Sequence, residues 1–523
     1  MKLNSKPALF GLLLAIALAS ACGDDAYDGV SRPNVVLIIV DTLRADVIED
    51  LPGVVNTPEL DRFAAEGIPF TRAYTHAPMT LPAHTALFSS RLPVEAGVLN
   101  NSQNVPADLP LLAESMQKFG YSTRAVISLG TLTPPAQNEG LRRGFDEYDV
   151  DFTHIDVAAD VEPRLNASLE SWPAFTGEEE RPFFLFAHFC DPHAPYHSHG
   201  STEENGVVRL DGKDLGSYAL GEVPSDEYEL DLEAGEHTVE IASLTNALLR
   251  VKALNVTAAN GEEVPVEFTE GELVGSGQRV EVRFTVAESG RFTLRVGMHD
   301  RPGAKEAKRR YIREVEHVDA YVGRLLQALR DQGEYDNTMI VFVSDHGEAL
   351  GENGGFVGHV RSLDDTMIRV PLIVKPPLAG GSMESIRGRS GEPVSLIDLT
   401  PTILEVCGLP PLHGQRGESL LRETRSRPFE HVAETHKPEA QDDRVSLFDG
   451  TMRMLYIADE DRLYLYDISV DPGEKNDLFE ERGGEFPEWP KRLRLIAEEA
   501  AAIMAGTADP DSERAAALKA MGY

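Results

Sequence analysis

Nine residues of this chain could do chemistry together. Asp41 ends the apolar run "NVVLIIV", residues 34–40. Asp345 and His346 end a second such run, "TMIVFVS", residues 338–344, and His359 follows after a glycine-rich stretch. The turn "HFCDPHAPYH" after a third run offers His188, Asp191, His193 and His197. Thr80 opens "TLPAHTALFSS", where Pro82 suits the first turn of a helix. A hydroxyl at a helix N-terminus lies where free N–H groups and the dipole favour an anion. Carboxylates and imidazoles at strand ends are metal and acid–base donors. Taken singly, each has an ordinary reading: a turn aspartate, an N-cap threonine, a structural histidine. Taken together, three strand ends and one hydroxyl can converge on one crevice.

The elements that must position them read as an α/β fold. Short continuous apolar runs are the mark of parallel strands buried on both faces. Besides 34–40, they occur at 123–129, 182–188, 338–344 and 370–375. Helices lie between them. One runs through "TPELDRFAAEG", with Thr57 as N-cap, Pro58 in the first turn and Gly67 as terminator; another spans 108–119 and stops at Gly120. Alternating strands and helices predict a sheet with helices on both faces, with ligands at its carboxyl edge.

Residues 200–302 break this rhythm. Apolar and polar residues alternate there, with turns at Gly235, Gly261, Gly271 and Gly290, which predicts an inserted antiparallel β-sandwich. Helical periodicity then resumes, with Ile312, Val315, Val318, Val322, Leu325, Leu326 and Leu329 on one stripe. The expected division is a signal at 1–22, an α/β domain in two parts (33–199 and 303–425) around the insertion, and a smaller C-terminal α+β subdomain at 426–523. The acidic, Ala-rich tail from Glu498 reads as a surface helix.

The formal charge of −37 argues against a nucleic-acid partner and means that an anionic substrate needs a local cation. Lys2, Lys6 and the apolar run that follows read as an export signal, too short for a spanning helix. "LASAC" resembles a bacterial lipoprotein signal, with Cys22 as the lipidated residue and the cell envelope or periplasm as destination. Membrane attachment is expected through that anchor alone. Cys190 and Cys407 are too few for a disulfide framework and read as buried thiols.

The ordered segments "PNVVLIIVDTLRAD", "THAPMTLPAHTALFSS", "CDPHAPY", "VFVSDHGEALGENG", "RVPLIVK" and "LYDISVDPGEKNDL" resemble the sulfatase family of the alkaline phosphatase superfamily. The resemblance implies an alkaline-phosphatase-like sheet and a metal-bound nucleophile attacking sulfur or phosphorus. It implies Asp41, Asp345 and His346 as metal ligands, with Thr80 both touching the metal and attacking. His193 matches a histidine that contacts the ester or protonates the leaving group, and His359 falls where the family has a Lys or His near the substrate. Lys375 receives no role.

The chain departs from the family pattern at three places. Sulfatases convert a Cys or Ser to formylglycine, and Thr80, with its extra methyl, cannot give that aldehyde. The arginine that supports formylglycine is His84, counted here with the catalytic candidates. A usual second Asp ligand is Thr42. Threonine remains a workable nucleophile once a cation lowers its pKa, and phosphoryl-threonine is easier to clear than sulfo-threonine. The expectation is therefore a hydrolase of phosphate or sulfate esters, phosphate mono- or diesters favoured, on an anionic substrate that could be part of a glycan. A nitrogen donor among oxygens favours Zn²⁺ or Mn²⁺ over Ca²⁺, as one or two ions, the second held by His193, His359 and Asp191. Two alternatives stand beside it: a sulfuric ester hydrolase with unmodified Thr80, and an inactive envelope protein that binds glycan or a partner.

Overall fold

The computed structural model describes residues 32–506, except 50–54, 135–138, 151–157, 195, 197–203, 220–224, 244–247, 267–272, 275–278, 302–303, 353–355, 379–383 and 437–441. The expected signal segment with Cys22, His197 and the tail beyond 506 lie outside the described residues.

The strand Asn34–Val40 is the middle of the molecule. All seven of its residues are buried. Val35, Leu37 and Ile39 enter one hydrophobic core, while Val36, Ile38 and Val40 enter another. A strand whose two faces feed two cores must have a layer on each side, which accounts for its unbroken apolar run. It pairs in parallel with Thr338–Ser344 on one side and Phe183–Phe189 on the other. The full sheet has eight strands in the order Val394–Ser395, Ile68–Tyr74, Arg369–Lys375, Thr338–Ser344, Asn34–Val40, Phe183–Phe189, Ser122–Val126 and Glu147–Asp149.

Two features of this sheet differ from a plain parallel reading. Arg369–Lys375 runs antiparallel to both neighbours, so the sheet is mixed. Ile68–Tyr74 is a strand although its burial alternates and it contains Pro69, Thr71 and Arg72. It is parallel in sense to Thr338–Ser344, since both pair antiparallel with the strand between them. The chain after Tyr74 therefore emerges at the same carboxyl edge as the ends of the central strands. That edge is where Thr80 starts its helix, Thr80–Ser89.

The 28-residue helix Ala304–Asp331 covers one face. Val315, Val318, Val322, Leu325, Leu326 and Leu329 are buried, with Ile312 partly so. Its Asp319 also corrects the expected cap of the Pro58–Glu66 helix. Thr57 makes no side-chain cap there; Asp319 accepts from Leu60 N at 2.8 Å and Glu59 N at 3.2 Å instead. Gly67 ends that helix in an extended conformation, and a Cβ at this position would lie 2.9 Å from Ile373 Cγ2. Close packing against the sheet, not a left-handed turn, demands glycine here.

Between Phe189 and Ala304 lie two antiparallel sheets, one of four strands (Lys213–Ala219, Glu204–Leu210, Gly235–Ser243, Arg279–Val286) and one of five. Val208, Val239, Ile241, Leu254, Phe284, Leu294 and Val296 form a single core between them. Alternate residues of Arg279–Val286 are buried and exposed, as a strand with one wet face requires. A third antiparallel sheet, His431–Thr435, Arg444–Phe448, Met452–Ile457 and Arg462–Asp467, carries the helix Trp489–Met504. Their core includes Ala86, Leu92 and Ile397, so this C-terminal unit braces the Thr80 helix from behind. The expected surface helix from Glu498 is, up to Met504, the packed end of this helix: Glu499, Ala500 and Ala502 are buried. Cys190 and Cys407 are free, buried thiols.

Candidate active site

Register explains why the candidates meet. Val40 lies opposite Ser344 and Phe189, so the residues that follow these strand ends are neighbours. Asp41, Asp345 and His346 come together with one donor atom each within 4.8 Å of the others. His346 Nε2 stands 3.8 Å from Asp41 Oδ1 and 3.5 Å from Asp345 Oδ2. Thr80 Oγ1 donates to Asp41 Oδ2 at 3.4 Å. All four residues are at most 1 % exposed.

The hydrogen bonds fix how these groups point. His346 Nδ1 lies 3.0 Å from the Gly347 carbonyl, so it carries the proton and Nε2 presents a lone pair. Asp345 Oδ1 accepts from the amides of Thr42 and His346. Asp41 Oδ1, Asp345 Oδ2 and His346 Nε2 have no hydrogen-bond partner. Buried polar atoms without partners cost free energy, and these three face one another. Burial, then Asp345 and Glu348, push Asp41 well above the usual carboxylate range. Burial also raises Asp345 and, with His359, holds His346 well below the ordinary imidazole value. A divalent cation relieves all three at once, and the donor set (two carboxylates, an imidazole lone pair and a nearby hydroxyl) fits one.

The backbone is shaped to this end. Thr42 has φ of 57°, left-handed and costly for a β-branched residue. Tyr311 holds it: its hydroxyl donates to the Thr42 carbonyl at 2.7 Å and accepts from Arg44 N at 2.8 Å. Gly347 presses against the short helix Asp365–Ile368, where a Cβ would fall 1.9 Å from the Thr366 carbonyl oxygen.

The remaining candidates divide. His193 and His359 are half-buried and form the outer rim, with ring centroids 5.0 Å apart and His359 4.8 Å from His346. Burial and His359 push His193 down to about 3. His84 is a fully buried residue of the Thr80–Ser89 helix itself. Its Nδ1 donates to the Thr80 carbonyl at 2.8 Å and lies 3.5 Å from Asp345 Oδ2. It therefore touches the Asp345 carboxylate and the Thr80 backbone. Asp191 is not a site residue: both of its oxygens accept from Ala158 N, at 3.0 and 2.9 Å. Without it, no second three-donor group assembles among the described residues. Lys375 lies at the opposite end of the sheet, donating to the Thr338 carbonyl at 3.1 Å.

Two further residues join the site, His188 from the His-rich turn and Glu348, which has no expected role. His188 Nε2 lies 3.7 Å from Asp41 Oδ2, its Nδ1 bonded to Ser128 Oγ at 2.8 Å. Glu348, fully buried, reaches His359 Nδ1 with Oε2 at 3.3 Å. A separate cavity of about 360 Å³ lies at the junction with the C-terminal sheet, lined by His76, Ser395, Arg416, Arg425 and Arg492 among others. Its arginines are engaged with Glu95, Asp398 and Glu430, and none of the groups above lines it.

A family model described as Sulfatase matches residues 33–409. The chain belongs to the sulfatase family. It is an ester-bond hydrolase by that membership, in a family that generally uses a divalent metal. The N-acetylglucosamine-6-O-sulfatase of Bacteroides thetaiotaomicron is 24% identical over 95% of this chain and 91% of its own length. The choline-sulfatase of Rhizobium meliloti is 22% identical over 87% and 83%. Among solved structures, BT4656 with its substrate D-glucosamine-2-N,6-O-disulfate superposes with a TM-score of 0.58, at 17% identity, over 90% of this chain and 98% of that one. The phosphonate monoester hydrolase of Silicibacter pomeroyi gives 0.57, at 18% identity, over 91% and 96%. These structural likenesses establish the alkaline-phosphatase-like fold.

Proposed function

We propose that this sulfatase-family chain hydrolyses phosphate or sulfate esters with Thr80 Oγ1 as nucleophile, phosphate esters being favoured. The observation that carries the reading is the contact of the Thr80 hydroxyl with a buried Asp41–Asp345–His346 cluster whose inward atoms have no partners. A divalent cation held by those three residues, Zn²⁺ or Mn²⁺ by donor type with Ca²⁺ third, would supply the charge that acidifies the hydroxyl and steadies the transferred group.

The chain's own residues do the rest. The Thr80 proton leaves along its hydrogen bond to Asp41 Oδ2 while Oγ1 attacks phosphorus. The bond to the leaving oxygen breaks, and that oxygen takes a proton from the histidine rim, His193 or His359. Water then splits the phosphoryl-threonine, releasing phosphate and restoring the hydroxyl. His84 and His188 do not touch substrate; they hold the Asp345 and Asp41 carboxylates from outside.

The same machinery acting on a sulfate ester is the second reading, supported by the sulfatase relatives. The N-acetylglucosamine-6-O-sulfatase relative favours an anionic ester on a glycan, with the inserted sheets near enough in sequence to His193 to help bind it. The chain is proposed to act outside the cytoplasm, anchored through Cys22, on the strength of its first 22 residues. The test is a panel of 4-nitrophenyl phosphate, bis(4-nitrophenyl) phosphate and 4-nitrophenyl sulfate against Zn²⁺, Mn²⁺ and Ca²⁺. Metal-dependent turnover that Thr80→Ala abolishes is the expected result. Turnover of the sulfate alone reverses the preference for phosphorus; turnover of none, or full activity in Thr80→Ala, overturns the reading.

A further inference from the structure

The rim of the site carries a cation that none of the roles above uses. After the metal-ligand pair the chain makes a short hairpin, in which Ala349–Leu350 pairs antiparallel with Val357–Gly358, Ala349 opposite Gly358 and Leu350 opposite Val357. Glu348 and His359 are the next opposed residues at its base, and the Glu348 carboxylate lies 3.3 Å from His359 Nδ1. Two residues beyond His359 comes Arg361, which is exposed. Consecutive Cα atoms are ~3.8 Å apart, which keeps the Arg361 backbone within ~7.6 Å of the His359 backbone. The His359 ring in turn stands beside those of His346 and His193.

Three features set Arg361 apart from an ordinary surface arginine. Its guanidinium lies over the Phe356 ring, with Cζ 4.2 Å from the centroid. Such a contact holds the head in place without neutralising it. A Cβ on Gly358 would lie 3.1 Å from Phe356 Cζ and 3.7 Å from Glu348 Oε1, so this aromatic platform adjoins the base of the hairpin. Next, no ion pair or hydrogen bond to Arg361 is present among the described residues, on a chain where 86 acidic residues face 49 basic ones. Arg44, by contrast, is bound to Asp46 and Glu352. Finally, the backbone between His359 and Arg361 is strained. Val360 has φ of 84°, left-handed and costly for a β-branched residue. Its carbonyl accepts from Thr435 Oγ1 at 2.8 Å, a tie to the C-terminal sheet. Strain of this kind persists only where the surroundings over-determine it, and it gathers at ligand-binding positions.

We infer that Arg361 forms an anion subsite beside the cluster, taking a second negatively charged substituent of the substrate (a carboxylate, sulfate or phosphate group) while the ester itself sits at Thr80. The substrate class is then polyanionic. This rests on the reading of the Asp41–Asp345–His346 cluster as the place where the ester binds. A guanidinium presents paired N–H donors that match the oxygens of such a group, and its charge is permanent. The cluster residues are at most 1 % exposed, whereas Arg361 is at the surface. The two positions therefore suit different groups of one molecule. A polyanion is repelled by a chain of formal charge −37, and an unpaired cation at the rim offsets that repulsion locally.

A binding measurement tests this without relying on turnover. Mn²⁺-loaded full-length protein is titrated calorimetrically with phenylphosphonate and with its 3-carboxy and 4-carboxy derivatives, whose P–C bond an ester hydrolase leaves intact. Wild type is expected to bind the better carboxy derivative about 10-fold more tightly than the parent, and Arg361→Gln to lose that advantage while holding the parent within about 2-fold. Arg361→Lys keeps the charge but not the planar fork, and should retain part of the advantage. Melting temperatures are recorded, and an exposed position should leave them unchanged. Equal affinity for all three phosphonates in wild type, an advantage that survives in Arg361→Gln, or an equal loss on parent and derivatives overturns the proposal, as does binding of none of them. If the contrast is present but the nitrophenyl panel is not turned over, the nucleophile reading fails and the subsite stands. If the panel is hydrolysed as expected and the contrast is absent, only the subsite falls.

Discussion

Replacing Asp41 by Asn separates what the cluster costs from what it is for. Asp41 is fully buried, its Oδ1 has no partner, and its Oδ2 has only the Thr80 hydroxyl at 3.4 Å. Burial, Asp345 and Glu348 all raise its pKa. A carboxyl whose folded pKa exceeds its unfolded value, near ~3.9, binds more protons when folded. Metal-free stability is therefore undiminished below ~pH 4 and declines as pH rises toward the raised value. Asn carries no charge and escapes this decline. Removing the unsatisfied charge should return about 1–3 kcal/mol to the metal-free protein, or about 1–4 °C for a domain of this size. With metal the order inverts. An ion at 100 times its Kd stabilises wild type by about 2.7 kcal/mol, whereas the variant has lost a ligand. The assay is thermal unfolding near pH ~7.5, in chelator and then in saturating Mn²⁺ or Zn²⁺. Asp41→Asn melting below wild type in chelator would refute the electrostatic argument, and an equal metal increment in both would refute the ligand assignment.

Three other perturbations test the frame around the site. Tyr311→Phe removes the hydroxyl that joins the Thr42 carbonyl to Arg44 N; denaturant unfolding should show a loss of about 1–3 kcal/mol, and calorimetry a weaker metal affinity. Gly347→Ala drives a Cβ into the Thr366 carbonyl, so the Asp345–Glu348 turn must move; metal binding is expected to be lost while far-UV circular dichroism keeps its α/β character. In the C-terminal unit, burial disfavours charge on His436, but Asp443 and Glu434 outweigh it and raise its pKa to about 9. Being raised, it contributes stability in full below ~pH 6.5 that is lost as pH climbs through 9, up to roughly 3 kcal/mol. His436→Gln should flatten the wild-type stability profile across that window.

What could be read from the amino acids followed from where chemistry sits relative to periodicity. Asp41, Asp345 and His346 end continuous apolar runs, and such runs have only one arrangement that buries both faces. Thr80 was placed by Pro82 and the helix it begins. The direction of Arg369–Lys375 was not legible, because a buried strand has the same apolar run in either sense. Ile68–Tyr74 hid behind Pro69, Thr71 and Arg72, which a strand near the sheet edge tolerates on its wetter face. Asp191 misled through adjacency. It neighbours His193 in sequence, yet its carboxylate turns to the amide that starts the Ala158–Glu170 helix. Glu348 is one of 86 acidic residues, and nothing in its type marks it as buried. Only the hairpin register does, and the Gly-rich stretch before His359 is the one trace of that hairpin in the sequence.

The departures from the sulfatase pattern have a common electrostatic sense. Both Thr42 and His84 touch the Asp345 carboxylate, the first through its amide to Oδ1 at 3.2 Å and the second through Nδ1 at 3.5 Å from Oδ2. Where the family has an aspartate and an arginine at these positions, this chain has a neutral hydroxyl and an imidazole that burial holds below its ordinary pKa. One negative and one positive charge are gone together, so the balance around Asp345 is kept while its permanent cation is lost. Burial and the neighbouring imidazoles hold His188 down in the same way, burial with His359 does so for His346, and Glu348 adds a buried carboxyl. No side chain within these contacts carries a fixed positive charge. A dianionic ester approaching such a site, on a chain of formal charge −37, meets no fixed cation among the described residues in these contacts, and the ion that Asp41, Asp345 and His346 are proposed to hold would supply that attraction. On the proposed reading the cation would admit the substrate as well as activate Thr80, so that metal binding would be a precondition of substrate binding and not merely of turnover.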